Sequence, residues 1–328
     1  MKIGSVEHDI SGGNLSFLKA IGVNHVCTAN HRDWGWDRQG YWDAEELAAA
    51  RKHVESHGLK LDMVSLALNW NSVDESDVPN IICATPGRDE EIERLIKCVR
   101  ATAKAGIPAV KYNFTFGGVL RTDPAVGRAG CRHTAFDYSK FQFQPTKAGQ
   151  VTAEQMWERI AYWVNRVMPV ADELGVRVSC HPHDPAVPLG VGMDDRVLGT
   201  IDGLKRYVEL YQSPNLGLTF CQGCMAESGA TTEQLVDAIR YFGHRKKLFM
   251  VHFRTIVGGY LSFREAFVDE GDVDMLETMK AYQEVGFEHM LVPDHYPQIP
   301  GDTKGWASKA YAVGYIKALI RATGGETG

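Results

Sequence analysis

The sequence predicts an α/β protein in which eight parallel strands close into a barrel. Eight short apolar runs recur along the 328 residues, and a helical segment follows each of them. Strict alternation of strands and helices implies a parallel sheet, and eight units are the number that closes a (β/α)8 TIM barrel. The mean unit, 328/8 or 41 residues, is longer than the roughly 31 of a minimal barrel, so some connections must be extended.

The predicted strands are almost entirely apolar, as expected for strands buried on both faces. In chain order they cover residues 2–6, 25–29, 61–68, 109–114, 176–180, 216–220, 248–251 and 290–293. A Gly or a polar turn closes the preceding helix in most cases, as Gly22 does before the second strand and Gly175 before the fifth. Gly at this place relieves the left-handed backbone that ends many helices.

Capping patterns and apolar periodicity indicate the helices between the strands. Asp43 begins a helix that should run to about His57, and residues 89–105 carry apolar side chains on one side. Thr152 and Gln155 form a capping box, after which apolar residues recur at intervals of three and four.

The longest connection in this frame covers residues 115–151. No low-complexity tract, charge block or linker divides the chain. We therefore expect one TIM-barrel domain over residues 1–328, with an extended loop at about 115–151.

Composition narrows the function. A formal net charge of −6 argues against a nucleic-acid or anionic-membrane surface. No stretch reaches the roughly 20 apolar residues of a membrane span, and the N-terminus lacks a secretory signal, so we expect a cytoplasmic protein. Seven scattered cysteines indicate reduced thiols. Cys221 and Cys224 have the spacing of a zinc knuckle or a redox pair, but no second Cys pair accompanies them, so we expect one working Cys.

Four apolar runs in the second half end on a residue that binds transition metals: His181, Cys221, His252 and Asp294. Their separations of 40, 31 and 42 residues each match one strand–helix unit. Because neighbouring strand ends crowd around one mouth of a barrel, the four side chains are expected to meet at a single ion. Two imidazoles, a thiolate and a carboxylate suit a divalent ion such as Mn2+, Fe2+, Co2+ or Zn2+.

Further polar residues follow the predicted strands. His295 comes directly after Asp294, so a strand-like backbone would turn its side chain away from the ligand and leave it free for proton transfer. Arg254 shares the strand face of His252 and has the fork that clamps a substrate carboxylate, although a surface ion pair is equally consistent. Three more residues after strand ends are candidates for substrate binding: Asn113, Arg121 and His31.

Several motifs, in order and at similar spacing, resemble those of mannonate dehydratase. They are His181-Pro-His-Asp-Pro185, Thr219-Phe-Cys-Gln-Gly223, His252-Phe-Arg254, Phe263-Arg-Glu-Ala266, Gly271-Asp-Val-Asp-Met275, Pro293-Asp-His295, Tyr311, Tyr112-Asn-Phe114 and Arg121-Thr-Asp123. The resemblance covers the chain from about residue 109 onward.

This resemblance implies a metal-dependent lyase on a xylose-isomerase-like barrel that converts D-mannonate to 2-keto-3-deoxy-D-gluconate and water. It implies the same four metal ligands, with Mn2+ or Fe2+ favoured, and His295 and Tyr311 as the acid–base groups. It further implies a small-molecule sugar acid as the partner. Separately from the resemblance, we expect a homodimer.

The chain departs from the family pattern in the loops after strands three and eight. Asn69 follows strand three where the family carries a His, Tyr296 follows His295 where it carries Gly, and His183 stands where Asp is usual. These changes keep two alternatives open. One is a metal-dependent sugar or sugar-acid isomerase or epimerase on the same barrel, and the other is a barrel that binds a sugar acid without turnover.

Overall fold

Twelve strands are present in the part of the chain that the structure, a computed structural model, describes, residues 1–327. They are β1 (Lys2–Glu7), β2 (His25–Thr28), β3 (Lys60–Ser65), β4 (Ala109–Asn113), β5 (Thr122–Val126), β6 (Arg132–Asp137), β7 (Arg177–His181), β8 (Leu216–Cys221), β9 (Leu248–His252), β10 (Ile256–Gly259), β11 (Ser262–Glu265) and β12 (Met290–Val292).

Eight of these strands form a closed parallel barrel in the order β1-β12-β9-β8-β7-β4-β3-β2. Each of the eight runs predicted from the sequence overlaps one of them, so the predicted fold class is confirmed. The strand ends after β7, β8, β9 and β12 are therefore neighbours around the mouth, in the order that the sequence predicted.

Helices surround the barrel. They are α1 (Gly12–Ile21), α2 (Trp36–Gln39), α3 (Ala44–Ser56), α4 (Pro79–Cys83), α5 (Arg88–Lys104), α6 (Ala153–Leu174), α7 (Ile201–Glu209), α8 (Gln222–Glu227), α9 (Thr232–His244), α10 (Met275–Glu284) and α11 (Trp306–Ala322). The predicted caps are present: the Asp43 carboxylate accepts the first free N–H groups of α3, and Thr152 and Gln155 form a capping box at α6. In residues 1–327, no helix has the length and apolar character needed to cross a membrane.

A second sheet stands on the mouth of the barrel. Residues 115–151, which the sequence indicated only as an extended connection, contain β5 and β6, and these strands join β10 and β11 in a four-stranded antiparallel sheet of order β10-β11-β6-β5. The sheet pairs strands that are about 130 residues apart in the sequence, so no local sequence pattern predicts it. It brings Arg121, just before β5, and Glu265, at the end of β11, to the same place as the barrel strand ends.

The barrel contains a small buried apolar cluster below the mouth. Cys27, Met63, Met250 and Val292 belong to one buried cluster contributed by several barrel strands. The much larger cluster lies between strands and helices and includes Trp163 and Phe242. Because burial of an unpaired charge is costly, a charged group inside the barrel indicates an ion pair or a functional role.

Candidate metal centre and active-site cavity

The four residues predicted to bind metal come together at the mouth. His181, Cys221 and His252 are the last residues of β7, β8 and β9, and Asp294 follows β12 by two residues. In the barrel ladder Cys221 is paired with His252, which is paired in turn with Val292. Parallel strands that end at the same level thus hold four potential ligands side by side.

The donor atoms of these residues converge closely. Nε2 of His181 lies 3.2 Å from Nδ1 of His252, and this Nδ1 lies 3.2 Å from Oδ2 of Asp294. One donor atom from each of His181, Cys221 and His252 lies within 4.8 Å of the other two. At a metal–nitrogen distance of about 2.1 Å, two nitrogen ligands are about 3.0 Å apart at a right angle and about 3.4 Å apart at the tetrahedral angle. The observed nitrogen separation falls between these values.

The protonation pattern of the cluster suits a metal ligand set. Nδ1 of His181 donates to the carbonyl oxygen of Pro182 at 2.7 Å, so Nε2 presents its lone pair to the cluster. Burial lowers the pKa of His181 and favours the neutral imidazole. Burial also acts to raise the pKa of the Cys221 thiol, but hydrogen bonding with Cys224 and the charge of Arg254 outweigh it and hold that pKa well below its usual range.

Asp294 is likewise ionised. Burial opposes its ionisation, but the neighbouring His252 and His295 bring its pKa well below the usual range. Burial acts to lower the pKa of His252, but the Asp294 carboxylate outweighs it and raises that pKa above its ordinary value. Two imidazoles, a thiolate and a carboxylate are thus adjacent, which is the donor chemistry that a borderline divalent ion selects once it displaces the proton of His252. The residues fit the metal that the sequence predicted, and the identity of that metal is left open by this donor set.

A cavity of about 300 Å³ opens beside these ligands. Its lining residues are Val6, His8, Trp70, Lys111, Asn113, Val119, His181, Asp184, His252, Asp294 and His295. Of the residues predicted from strand ends alone, Asn113 and His295 thus line the same cavity as three of the four predicted metal ligands.

His295 has an unusual backbone and a fixed side chain. Its φ of 48° lies in the left-handed region, so the strand-like alternation assumed from the sequence does not continue past β12. Nδ1 of His295 lies 2.9 Å from Oε1 of Glu265. Burial acts to lower the pKa of His295, but the carboxylates of Asp294 and Glu265 outweigh it and raise that pKa above its ordinary value.

Arg121 and Arg254 belong to a buried ionic network beside the cavity. Arg254 is only 2% exposed and donates to Glu227 at 2.7 Å, to Glu265 at 2.8 Å, to Asp184 at 3.1 Å and to Asp294 at 3.2 Å. Arg121 donates to Asp184 and, at 3.0 Å, to Glu265. Neither guanidinium is among the residues that line the cavity.

The two other predicted site residues lie elsewhere. Nε2 of His31 is 2.6 Å from Oδ2 of Asp77, outside the set that lines the cavity. Tyr311 is on α11 with 42% of its surface exposed, and its ring packs edge-on against Phe267 at 5.9 Å.

Comparisons with known proteins agree with the geometry. The model of the family D-mannonate dehydratase (UxuA) matches residues 12–148 and 137–326. The chain belongs to the D-mannonate dehydratase family. Mannonate dehydratase 2 of Halalkalibacterium halodurans is 30% identical over 292 residues, which cover 80% of this chain and 81% of that protein. Mannonate dehydratase of Thermotoga maritima is 28% identical over 325 residues, 86% of either chain.

Solved structures extend the comparison to the fold of this dehydratase family member. The crystal structure of mannonate dehydratase from Streptococcus suis serotype 2 matches with a TM-score of 0.85 and 26% identity, covering 100% of this chain and 96% of that one. A xylose isomerase domain protein from Planctomyces limnophilus matches at a TM-score of 0.62 and 13% identity, covering 98% of each chain. The last likeness supports the xylose-isomerase-like barrel alone. Family membership makes the chain a hydro-lyase, and the isomerase or epimerase alternative has no better support.

Sequence reasoning missed several residues of the site in this dehydratase family member. Asp184 and Glu265 lie inside motifs that were recognised, but no pattern indicated that they meet. Lys111 carried a clearer signal, because it is a charged residue within the apolar run 109–114. A charge in a strand that is buried on both faces points either to function or to an internal ion pair.

Proposed function

We propose that this protein removes water from D-mannonate to give 2-keto-3-deoxy-D-gluconate, at a divalent ion held by His181, Cys221, His252 and Asp294. One observation carries the proposal: donor atoms of His181, Cys221 and His252 lie within 4.8 Å of one another, and Asp294 lies 3.2 Å from His252 beside a cavity that also contains His295. Mn2+ or Fe2+ is the proposed ion, with Co2+ and Zn2+ as the other candidates for this donor set.

The reaction needs one proton removed and one hydroxyl expelled. The C2–H bond beside the carboxylate breaks, a C2–C3 double bond forms and the C3 hydroxyl leaves as water after taking up a proton. The resulting enol becomes the 2-keto acid by proton transfer to C3. A bound divalent ion supplies a Lewis acid for the oxygen atoms on which negative charge develops.

We propose His295 as the acid–base group because it lines the cavity beside Asp294 and Glu265 fixes the orientation of its ring. With Nδ1 bonded to Glu265, Nε2 is the nitrogen left for proton exchange. Asn113 is proposed to bind a substrate hydroxyl from the wall of the same cavity. His31 keeps its predicted substrate role only as a sequence-based proposal, since it contacts Asp77.

Arg254 is proposed to act through Asp294 and not through the substrate. Its guanidinium is occupied by buried carboxylates, and its Nε lies 3.2 Å from Oδ2 of Asp294. Such a contact fixes the direction in which the carboxylate points. Arg121 has the same character, because it donates to Asp184 and Glu265 beside the ring of His295.

Tyr311 is the second acid–base group that the family resemblance predicts. Because Tyr311 is exposed on α11 and is not among the residues that line the cavity, its substitution tests this role directly. If Tyr311 exchanges a proton with the substrate, Tyr311→Phe retains metal and loses turnover by about two orders of magnitude or more. If its hydroxyl stays on the outer side of α11, Tyr311→Phe turns over normally. Steady-state rates on metal-loaded protein distinguish the two.

The proposed function is tested with purified protein reconstituted with Mn2+ and assayed against a panel of hexonates. We expect 2-keto-3-deoxy acid from D-mannonate and little or none from epimers at C2 or C3. Absence of product from every hexonate, with metal bound, would contradict the proposal.

A cytoplasmic location and a homodimeric assembly are proposals from sequence alone. Cell fractionation tests the location, and light scattering tests the assembly.

A further inference from the structure

Lys111 is a largely buried lysine on the wall of the active-site cavity. It lies on β4 with a side chain that is 4% exposed, and it lines the cavity together with His181, His252 and Asp294. Among the hydrogen bonds and ion pairs within residues 1–327, none involves its ammonium group. Nζ of Lys111 lies 5.8 Å from the centroid of the Trp70 ring.

The strand position of Lys111 aims it into the active-site cavity. Lys111 and Asn113 are two residues apart on β4 and so share one face of the strand. Asn113 is paired with His181 on β7, and Lys111 is paired with Ser179. Lys111 therefore sits one layer below the level of the metal ligands, at the floor of the space in which a substrate would lie.

The two buried arginines near the mouth already have carboxylate partners. Arg121 and Arg254 lie against the carboxylates of Asp184 and Glu265, and burial raises the pKa of Glu227 well above its usual range, which favours its neutral form. In residues 1–327, by contrast, no carboxylate oxygen lies within 4.0 Å of Nζ of Lys111, although this side chain lines the same cavity.

We infer that Lys111 binds the carboxylate of the substrate and makes the cavity selective for sugar acids over neutral sugars and alditols. Burying an ammonium without a counter-charge is costly, and an anionic ligand offsets that cost only when it occupies the cavity. This inference rests on the proposed function for the class of substrate. It replaces Arg254, the residue predicted from sequence for this role, with a cation that faces the ligand.

The test compares two inert probes that differ in one group. The first is 3-deoxy-D-arabino-hexonate, which is D-mannonate without the hydroxyl that leaves. The second is the matching alditol, 3-deoxy-D-arabino-hexitol, in which CH2OH replaces the carboxylate. Binding to Mn2+-loaded protein is measured by calorimetry for the wild type, Lys111→Met and the control Lys304→Met, which removes an exposed lysine near the barrel mouth.

We expect the wild type and Lys304→Met to prefer the hexonate, and Lys111→Met to lose about 10- to 100-fold of its affinity for the hexonate while its affinity for the hexitol changes little. We further expect Lys111→Met without ligand to melt at or above the wild-type temperature, because the change removes an uncompensated buried charge. The inference would be overturned if Lys111→Met lost affinity equally for the hexonate and the hexitol, or if it kept the wild-type preference for the hexonate. Lys111→Gln is the second variant if the methionine variant does not fold.

The outcome is separable from that of the proposed function because neither probe can be dehydrated. A Lys111-dependent preference for the hexonate upholds the inference even if D-mannonate is not converted. Normal conversion of D-mannonate by Lys111→Met, with an unchanged KM, overturns it while leaving the dehydratase assignment in place.

Discussion

His295 and Glu265 form a hydrogen-bonded pair that joins the barrel to the second sheet. Oε1 of Glu265, at the end of β11, lies 2.9 Å from Nδ1 of His295, just after β12. Glu265 is 1% exposed and also accepts from Arg121 and Arg254, so its own position is fixed on three sides. A carboxylate that accepts the Nδ1 proton sets the tautomer and ring orientation of a histidine.

This pair predicts that Glu265→Gln lowers kcat more than it changes KM. The amide keeps the size of the side chain but weakens its hold on the His295 ring and its tautomer, so we expect kcat to fall by about 10- to 100-fold. Steady-state kinetics on metal-loaded protein check this, with Glu277→Gln on the exposed face of α10 as the control. A kcat equal to that of the wild type would show that the pair is structural only.

Replacement of Asp294 tests the metal centre. Asp294→Asn is expected to lose both bound metal and turnover and to keep the folded barrel, because residues at strand ends of this fold serve function more than stability. Metal analysis, activity and circular dichroism are measured on one sample. Retention of a full equivalent of metal would remove Asp294 from the ligand set.

Arg254 is expected to matter for stability as well. Arg254 and Arg121 are two guanidinium groups within ion-pair distance of the buried side chains of Asp184, Glu227 and Glu265, and the loss of Arg254 removes one of them. Breaking a buried ionic network from one side costs about 3–5 kcal/mol, so Arg254→Ala should lower the free energy of unfolding by that amount. Denaturant titration measures it. Arg240→Ala, which removes an exposed ion pair with Glu284, should have little effect, and equal losses in both variants would contradict the network.

A histidine at the opposite end of the barrel predicts a pH-dependent stability. Burial, helped by the charges of Arg177 and Lys2, lowers the pKa of His289 to about 4. Because the unfolded chain takes up this proton near pH 6.5 and the folded protein does not, stability is complete above pH 6.5 and falls as the pH drops towards 4. His25, whose burial lowers its pKa to about 4, acts in the same direction.

Melting curves between pH 7 and pH 4.5 measure this effect. We expect the melting temperature of His289→Phe to fall by roughly 2–5 °C less than that of the wild type over this interval. Parallel curves for the two proteins would show that His289 titrates normally in the folded state.

The sequence predicted the barrel because each unit carries its own local signal. An apolar run, a Gly turn and a capped helix can each be read within about 40 residues, and Thr152 and Asp43 cap helices as expected. The proximity of the proposed metal ligands was predictable for a related reason. Residues at the same end of neighbouring parallel strands lie close together in a barrel, so the sequence spacing predicted that His181 lies beside His252. The assignment of these residues as a ligand set stays a prediction, as does the single-domain boundary.

The remainder of the site depends on contacts between distant segments. Glu265 meets His295 only because β6 pairs with β11 across about 130 residues, and periodicity carries no information about such a pairing. Arg254 was expected to face the substrate by strand alternation, but β9 ends at His252 and the chain leaves the strand before Arg254. Lys111 was not predicted as a site residue because the other residues of its strand are typical of a buried core strand.

We propose that dehydration of D-mannonate requires one ion held by His181, Cys221, His252 and Asp294. The most direct measurement is a titration of metal-free protein with Mn2+ while the formation of 2-keto-3-deoxy-D-gluconate is followed. We predict no turnover without metal and a rate that rises to a plateau at one equivalent per chain. Full turnover in the metal-free protein, or none at any loading, would contradict the account.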